Sequence, residues 1–512
     1  MEVTEVSRAS GILMHITSLP QEEGIGTFGS KAYEFADFLK ATDQQYWQIL
    51  PLGPVGYGNS PYQAFSAFAG NPYMIDLYKL VEEGLLPKDE NIVLSKIGND
   101  SSKVDFETIT PLKLKLLHKA YEASKQNPEI MEAIEEFKEE NASWLMDYSL
   151  FMAIKNEFDE VSWQEWDPLL KCRDKATLSR YREKLKDQIE FWIFVQYEFF
   201  KQWYELKEYV NGLGIKIIGD IPIYVSADSS DTWAQPELFK LDEDCNPITV
   251  AGCPPDAFTE DGQLWGNPIY DWGYLEATNY KWWVERMKQN AKLYDMIRID
   301  HFRGFESYWE VPFGETTARN GQWTKGPGIK LFNAINKELG DVAIIAEDLG
   351  FITDEVIELR EKTGYPGMKI LEFGFDPEGE SEYLPHNCNK ESVAYLGTHD
   401  NETIVGWMQD PGNKRALAFA KKYLRLTKKE GYAWGFIRGL WATPSELAIA
   451  QMQDILGLDN TARMNIPSTV GDNWNWRIKE DALTEEISSK LKRLTKIYGR
   501  KVEKDAKRST EN

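Results

Sequence analysis

The chain has 512 residues, 42% of them apolar and 13% aromatic, enough for a large buried core and incompatible with global disorder. Its 58 basic and 82 acidic side chains leave a net charge of −24. That charge repels nucleic acid and anionic membrane surfaces, so neither is expected as a partner, and it suits an uncharged substrate.

The N-terminal stretch "MEVTEVSRASGILMH" has no basic segment followed by an apolar one, which argues against a secretory signal. Two short apolar runs follow, "GILMHITSLP" (11–20) and "YWQILPLGP" (46–54), each ending in a polar or Gly/Pro cluster as strands do. Residues 75–214 then read as a largely helical insertion. Its most apolar part, "FWIFVQYEFF" (191–200), is half a membrane span and contains Gln196 and Glu198. It therefore reads as the buried face of a helix near 187–210 that stops at Asn211-Gly212. The third run, "IKIIGDIPIYV" (215–225), leads into 226–275, rich in Asp, Pro, Gly and Trp and expected to be a loop-rich insertion lining a cleft.

Five more runs follow: "MIRIDHF" (296–302), "AIIAEDLG" (343–350), "MKILEFGF" (368–375), "VAYLGTHDN" (393–401) and "ARMNIPST" (462–469). Helical patterns at 279–293, 328–339 and 353–363 separate several of them. Strand–helix alternation predicts a parallel sheet, and eight units predict that it closes. The expected fold class is α/β, a (β/α)8 TIM barrel with inserted helical subdomains. A single catalytic barrel is expected over 1–500. Ile487, Leu491, Leu494 and Ile497 predict a last helix before a flexible tail at 501–512.

Cys172, Cys245, Cys253 and Cys388 are scattered without CxxC spacing, which fits reduced thiols in a cytoplasmic enzyme better than disulfides or zinc. The five histidines show no ligand spacing, so no metal and no cofactor are expected.

Chemistry concentrates where the strands end. In "DMIRIDHFRGF" (295–305), Arg298 and Asp300 share one strand face while Ile297 and Ile299 share the other. A solvent-facing edge strand explains that pattern, whereas a strand packed on both sides requires partners for the buried charges. In a barrel the C-terminal strand ends form the active face, so Asp300, Glu347 and Asp400 would converge on one mouth. Two close carboxylates are the minimum equipment for cleaving a glycosidic bond. Arg298 is expected to hold Asp300 ionised, as a nucleophile requires, and the apolar "AIIA" before Glu347 is expected to raise its pKa, as a general acid requires. Tyr57 and Tyr62 flank "GNSP", and Trp265 lies in "EDGQLWGNP"; aromatic rings on such loops suit stacking against pyranose faces. Asn473 in "GDNWNWR" is a candidate for another cleft loop, with an ordinary turn among packed indoles as the alternative.

At these residues the chain resembles the 4-α-glucanotransferases of the α-amylase clan. The likeness lies in "IRIDHFRGF", "IIAEDLG" and "GTHDNET", and in "LPLGPVGYGNSPYQAFSAFAGNPY" (50–73), "GDIPIYV" (219–225) and "PPDAFTEDGQLWGNPIY" (254–270); it runs from about Ser10 to Arg477. The resemblance implies Asp300 as nucleophile, Glu347 as general acid/base and Asp400 as transition-state stabiliser, with Arg298 and His399 as their partners. It further implies Trp265 and Asp256 on a loop over the cleft, Tyr57, Tyr62 and Asp220 at sugar-contacting positions, and Phe373 beside the cleaved bond. It implies no required calcium and no separate C-terminal β-domain. Substrates would be malto-oligosaccharides, glucose and α-1,4-glucans. Transfer rather than hydrolysis also follows from the resemblance. A retaining α-amylase-type hydrolase is the alternative, a non-catalytic glucan-binding protein a more distant one. A barrel for phosphorylated substrates is disfavoured by the acidic "GTHDNET" where a Gly-rich phosphate loop would lie.

Overall fold

The computed structural model describes residues 8–56, 58–90, 101–255, 259–378 and 380–501. Among them run, in chain order, β1 (Ala9–Leu13), β2 (Tyr46–Gln48), β3 (Lys216–Pro222), β4 (Thr249–Cys253), β5 (Gln263–Pro268) and β6 (Met296–Asp300). They continue with β7 (Ser307–Pro312), β8 (Gln322–Lys325), β9 (Ile344–Ala346), β10 (Gly367–Ile370), β11 (Ser392–Tyr395) and β12 (Leu447–Gln451). Eight strands close a barrel in the order β1-β2-β3-β6-β9-β10-β11-β12, every neighbouring pair parallel. The α/β barrel expected from the sequence is present.

Seven of the eight expected runs contain a barrel strand; the eighth, 462–469, does not. Its place is taken by β12, "LAIAQ", which pairs with β1 and β11 and is buried at all five positions. Two alanines weaken its strand signal, and it directly follows the apolar helix Tyr432–Ala442, which masks it in the sequence. Only closure of the barrel gives this short run its role, with Ala448 and Ala450 both 0% exposed.

Between β2 and β3 lie helices Phe106–Ser124, Pro128–Glu140, Leu145–Glu157, Lys175–Lys184 and Lys186–Gly212. The last places Phe191, Ile193, Phe194, Phe199, Trp203 and Val210 inside, and αL Gly214 follows its end. Gln196 of this helix bonds both the N–H and the C=O of Gly70, at 2.7 and 3.0 Å. A side chain at Gly70 would meet the Phe199 ring at 2.1 Å, so the loop after β2 approaches the helix closely only as glycine. The segment after β3 contributes β4 and β5 to a four-stranded antiparallel sheet ordered β5-β4-β7-β8, rather than loop alone. Its partners β7 and β8 arrive from beyond β6, so no local sequence pattern marks the pairing.

The last helix is Glu485–Ile497, capped by Thr484; it buries Leu491 while Ile497 stays 61% exposed. Except for Lys501, the tail expected at 501–512 lies outside the described residues. No helix among the described residues is long and apolar enough to cross a membrane.

Candidate active site

β6 ends on Asp300, Glu347 directly follows β9, and Asp400 lies in the turn after β11. Parallel strands leave these ends on one rim of the barrel. Ile297 and Ile299 pack outward at 1% and 0% exposure, while Arg298 points to the interior at 3%. Its partner comes from the neighbouring strand, where Asp220 stands opposite in register. One nitrogen, Nη1, donates to both Asp220 oxygens at 2.8 and 2.7 Å and to Asp300 Oδ1 at 3.0 Å. The buried-partner reading of the strand pattern is therefore the one the fold adopts. Asp220, 1% exposed, also accepts from the Tyr62 hydroxyl at 2.8 Å. Its carboxylate is thus turned toward Arg298 and Tyr62.

Glu347 is tied to the backbone directly after Asp300. His301, next to Asp300, donates its backbone N–H to Glu347 Oε2 at 2.7 Å, and Leu349 donates to Oε1 at 3.0 Å. His301 adopts αL geometry at φ 53° to do so, a conformation that a non-glycine residue holds at a cost of about 1–3 kcal/mol. Burial lifts the Glu347 carboxyl to about 8, and the Asp300 charge adds to the rise against the pull of Arg298. Burial also raises Asp300, and Arg298 draws it back. Arg298 therefore offsets burial at Asp300, rather than holding it low alone, because its charge is shared with Asp220.

Asp400 is held by a different loop. Asn465 Nδ2 donates to its Oδ1 at 2.6 Å, Arg463 Nη2 donates to its backbone carbonyl, and His399 Nε2 lies 3.4 Å from Oδ1. Asn465 N–H also reaches the His399 carbonyl at 3.0 Å. Residues 462–469, expected to be a barrel strand, instead clasp the third carboxylate.

Aromatic rings surround this cluster. Tyr62 stacks on His399 at 4.9 Å and 19°, with Trp474 5.6 Å from the Tyr62 ring. The edge of Trp265 meets His301 at 4.8 Å, and the Trp265 indole N–H donates to Gln263 at 3.1 Å. Phe373, 48% exposed, follows β10 and meets Tyr383 edge-on at 5.8 Å. Asn473 is bonded within its own loop. Its Oδ1 accepts from Ile466 N–H at 3.0 Å, and its Nδ2 donates to Thr469 O and Oγ1 at 3.1 and 3.0 Å. Its polar side-chain atoms bond inside that loop, which favours the turn of the alternative reading. Tyr57 and Asp256 lie outside the described residues. Among the described residues no group of three His, Cys, Asp or Glu side chains is arranged to hold a metal ion.

The profile of the 4-alpha-glucanotransferase family, glycoside hydrolase family 77, matches residues 14–484. A 4-alpha-glucanotransferase of Clostridium butyricum is 53% identical over 488 residues, 95% of this chain and 100% of that one. One from Streptococcus pneumoniae is 51% identical over 494 residues, 96% of this chain and 97% of that one. The chain belongs to the 4-alpha-glucanotransferase family. An amylomaltase from Streptococcus agalactiae, solved in complex with acarbose, superposes with a TM-score of 0.94 at 47% identity, covering 97% of this chain and 100% of that one.

Several residues of this family member's site have no isolated signal in the sequence. Arg463, Asn465 and Trp474 belong to a segment that reads as a strand and a turn, and only its contacts with Asp400, His399 and Tyr62 give it a role. His301 Nε2 is buried with no protein partner while burial and Arg303 lower its pKa to about 3, so it is a neutral ring. Only its αL backbone, invisible in a sequence, aims its N–H at Glu347.

Proposed function

We propose that this protein is a retaining 4-α-glucanotransferase in which Asp300, Glu347 and Asp400 carry the chemistry. Asp300 attacks the anomeric carbon of an α-1,4-glucan. The bond to the departing 4-oxygen breaks as Glu347 gives that oxygen its proton, leaving a covalent glycosyl-enzyme. Glu347, now a carboxylate, takes the proton of an acceptor 4-hydroxyl, whose oxygen displaces Asp300. Asp400, set by Asn465 and His399, stabilises the cationic transition state. The observation that carries this reading is the asymmetry between neighbouring carboxyls: Glu347 lifted to about 8 and able to hold a proton, Asp300 tied to Arg298.

Tyr62, Trp265 and Phe373 would face the sugar rings, and the unpartnered His301 Nε2 would meet a hydroxyl. Donors would be malto-oligosaccharides and storage glucans of the glycogen and starch type, and glucose would serve as an acceptor. Net charge and scattered cysteines support a cytoplasmic setting.

Incubation with maltotriose tests the reaction class. Transfer yields glucose and longer chains with a constant number of reducing ends. A steady rise in reducing ends would instead assign a hydrolase.

A further inference from the structure

Two large aromatic side chains stand exposed on the side of the mouth that carries Glu347. Trp323 of β8 is 42% exposed and Phe351 is 54% exposed. The Trp323 ring and the Phe351 backbone are both held in place. The guanidinium of Arg303 lies 3.8 Å from the centroid of the Trp323 ring, and Trp309, its register partner on β7, abuts it edge-on at 5.3 Å. Arg303 is fixed in turn by Ser307, through Nε to its carbonyl at 3.3 Å and Nη2 to its hydroxyl at 3.0 Å. Its Nη1 donates to the carbonyl of Phe351. One arginine, three residues beyond Asp300, thus joins Trp323 to a loop that begins at Glu347. The chain beyond β8 is bound to the same place, with Gly326 and Gly328 N–H donating to Glu306 and Phe305 carbonyls, both at 2.8 Å.

A rigid indole held by a cation over its ring and still 42% exposed is a stacking platform. Lys325, on the same face of β8, is exposed as well and is paired with Glu306. An uncharged ring ligand fits this surface on an otherwise acidic protein. The general acid serves the departing and then the accepting chain, so a platform tied to the Glu347 loop lies along that chain rather than along the covalently held one.

We propose that Trp323 and Phe351 form a distal acceptor subsite, beyond Trp265, that stacks a remote glucosyl unit of an α-1,4-glucan and sets the preference for long acceptors. The proposal rests on the transferase reading. Its test compares acceptor KM for maltotetraose and for glucose at a fixed donor concentration, in the parent, Trp323→Ala, Phe351→Ala and Trp323→Phe. The ratio of the two KM values is expected to rise about tenfold in Trp323→Ala, the factor that about 1.4 kcal/mol of binding carries. Phe351→Ala is expected to raise it less, and Trp323→Phe to restore most of it. Equal losses with both acceptors would show that Trp323 only supports Arg303 and would overturn the subsite, as would an unchanged ratio. Maltoheptaose binding to Glu347→Gln, with and without Trp323→Ala, gives a second readout independent of turnover. Rising reducing ends in the parent would fault the transferase reading, and the binding comparison would still judge the platform.

Discussion

At the scale of single residues, the chemistry depends on a division of charge. Arg298 Nη1 serves three carboxylate oxygens at once, two on Asp220 and one on Asp300. Each partner receives part of one positive charge, and burial then decides which carboxyl keeps a proton. Glu347, further from the cation and beside the Asp300 charge, is the one lifted to about 8. A general acid works only while protonated, so the expected kcat/KM profile for transfer falls on the alkaline side with a midpoint near 8. A pH–rate series with maltotriose checks this; a plateau extending past pH 10 would remove Glu347 from the acid role. The Asp300, Glu347 and Asp400 set was legible because each ends a readable strand motif. The roles of Asn465 and Asn473 were not, because an amide's function depends on which atoms stand opposite it, and loops place those atoms.

At the scale of elements, the barrel is held to its insertion by polar contacts buried within apolar surfaces. Lys113 of helix Phe106–Ser124 meets Glu23, in the loop after β1, at 2.6 Å, with both side chains 0% exposed. Glu23 also accepts from Leu77 N–H at 2.8 Å. Burial raises the Glu23 carboxyl to about 8 against the pull of Lys113. Removing the lysine by Lys113→Met leaves a buried carboxyl alone, a change that costs about 3–5 kcal/mol. Glu23 escapes part of that cost by taking a proton, so the loss in Tm relative to the parent is expected to be larger at pH 8 than at pH 5. Thermal melts at the two pH values check the sign, and an equal loss at both would mean that the pair's charge carries no weight. Of the helices between β2 and β3, Lys186–Gly212 was readable from its apolar spacing. β12 was not, since alanine-rich "LAIAQ" becomes a strand only between β1 and β11.

At the scale of the whole molecule, many carboxyls are lifted by burial. Glu198 and Asp454 rise to about 7, Asp231 to about 6, and Glu23 and Glu347 to about 8. Between the ordinary carboxylate range and these values the folded chain keeps protons that the unfolded chain has released. Stability therefore declines as pH rises from about 5 to 8, at about 1.4 kcal/mol per unit for each fully differing group. The expected Tm falls across that window. Asp454→Asn removes one such group while keeping an oxygen for Ile404 N–H, now bonded at 2.7 Å. Its Tm advantage over the parent is expected to grow with pH, and an advantage that shrinks on the way to pH 8 would contradict the buried-carboxyl account.

The sequence by itself determined the barrel class and placed three acids at strand ends, because strand periodicity and strand-end motifs are local patterns along the chain. It did not determine which segment closes the barrel, how Arg298 divides its charge, or which loop clasps Asp400. Those depend on residues far apart in the chain that meet only after folding, and on burial, which sets a carboxyl's affinity for its proton. Tertiary packing alone decides such quantities.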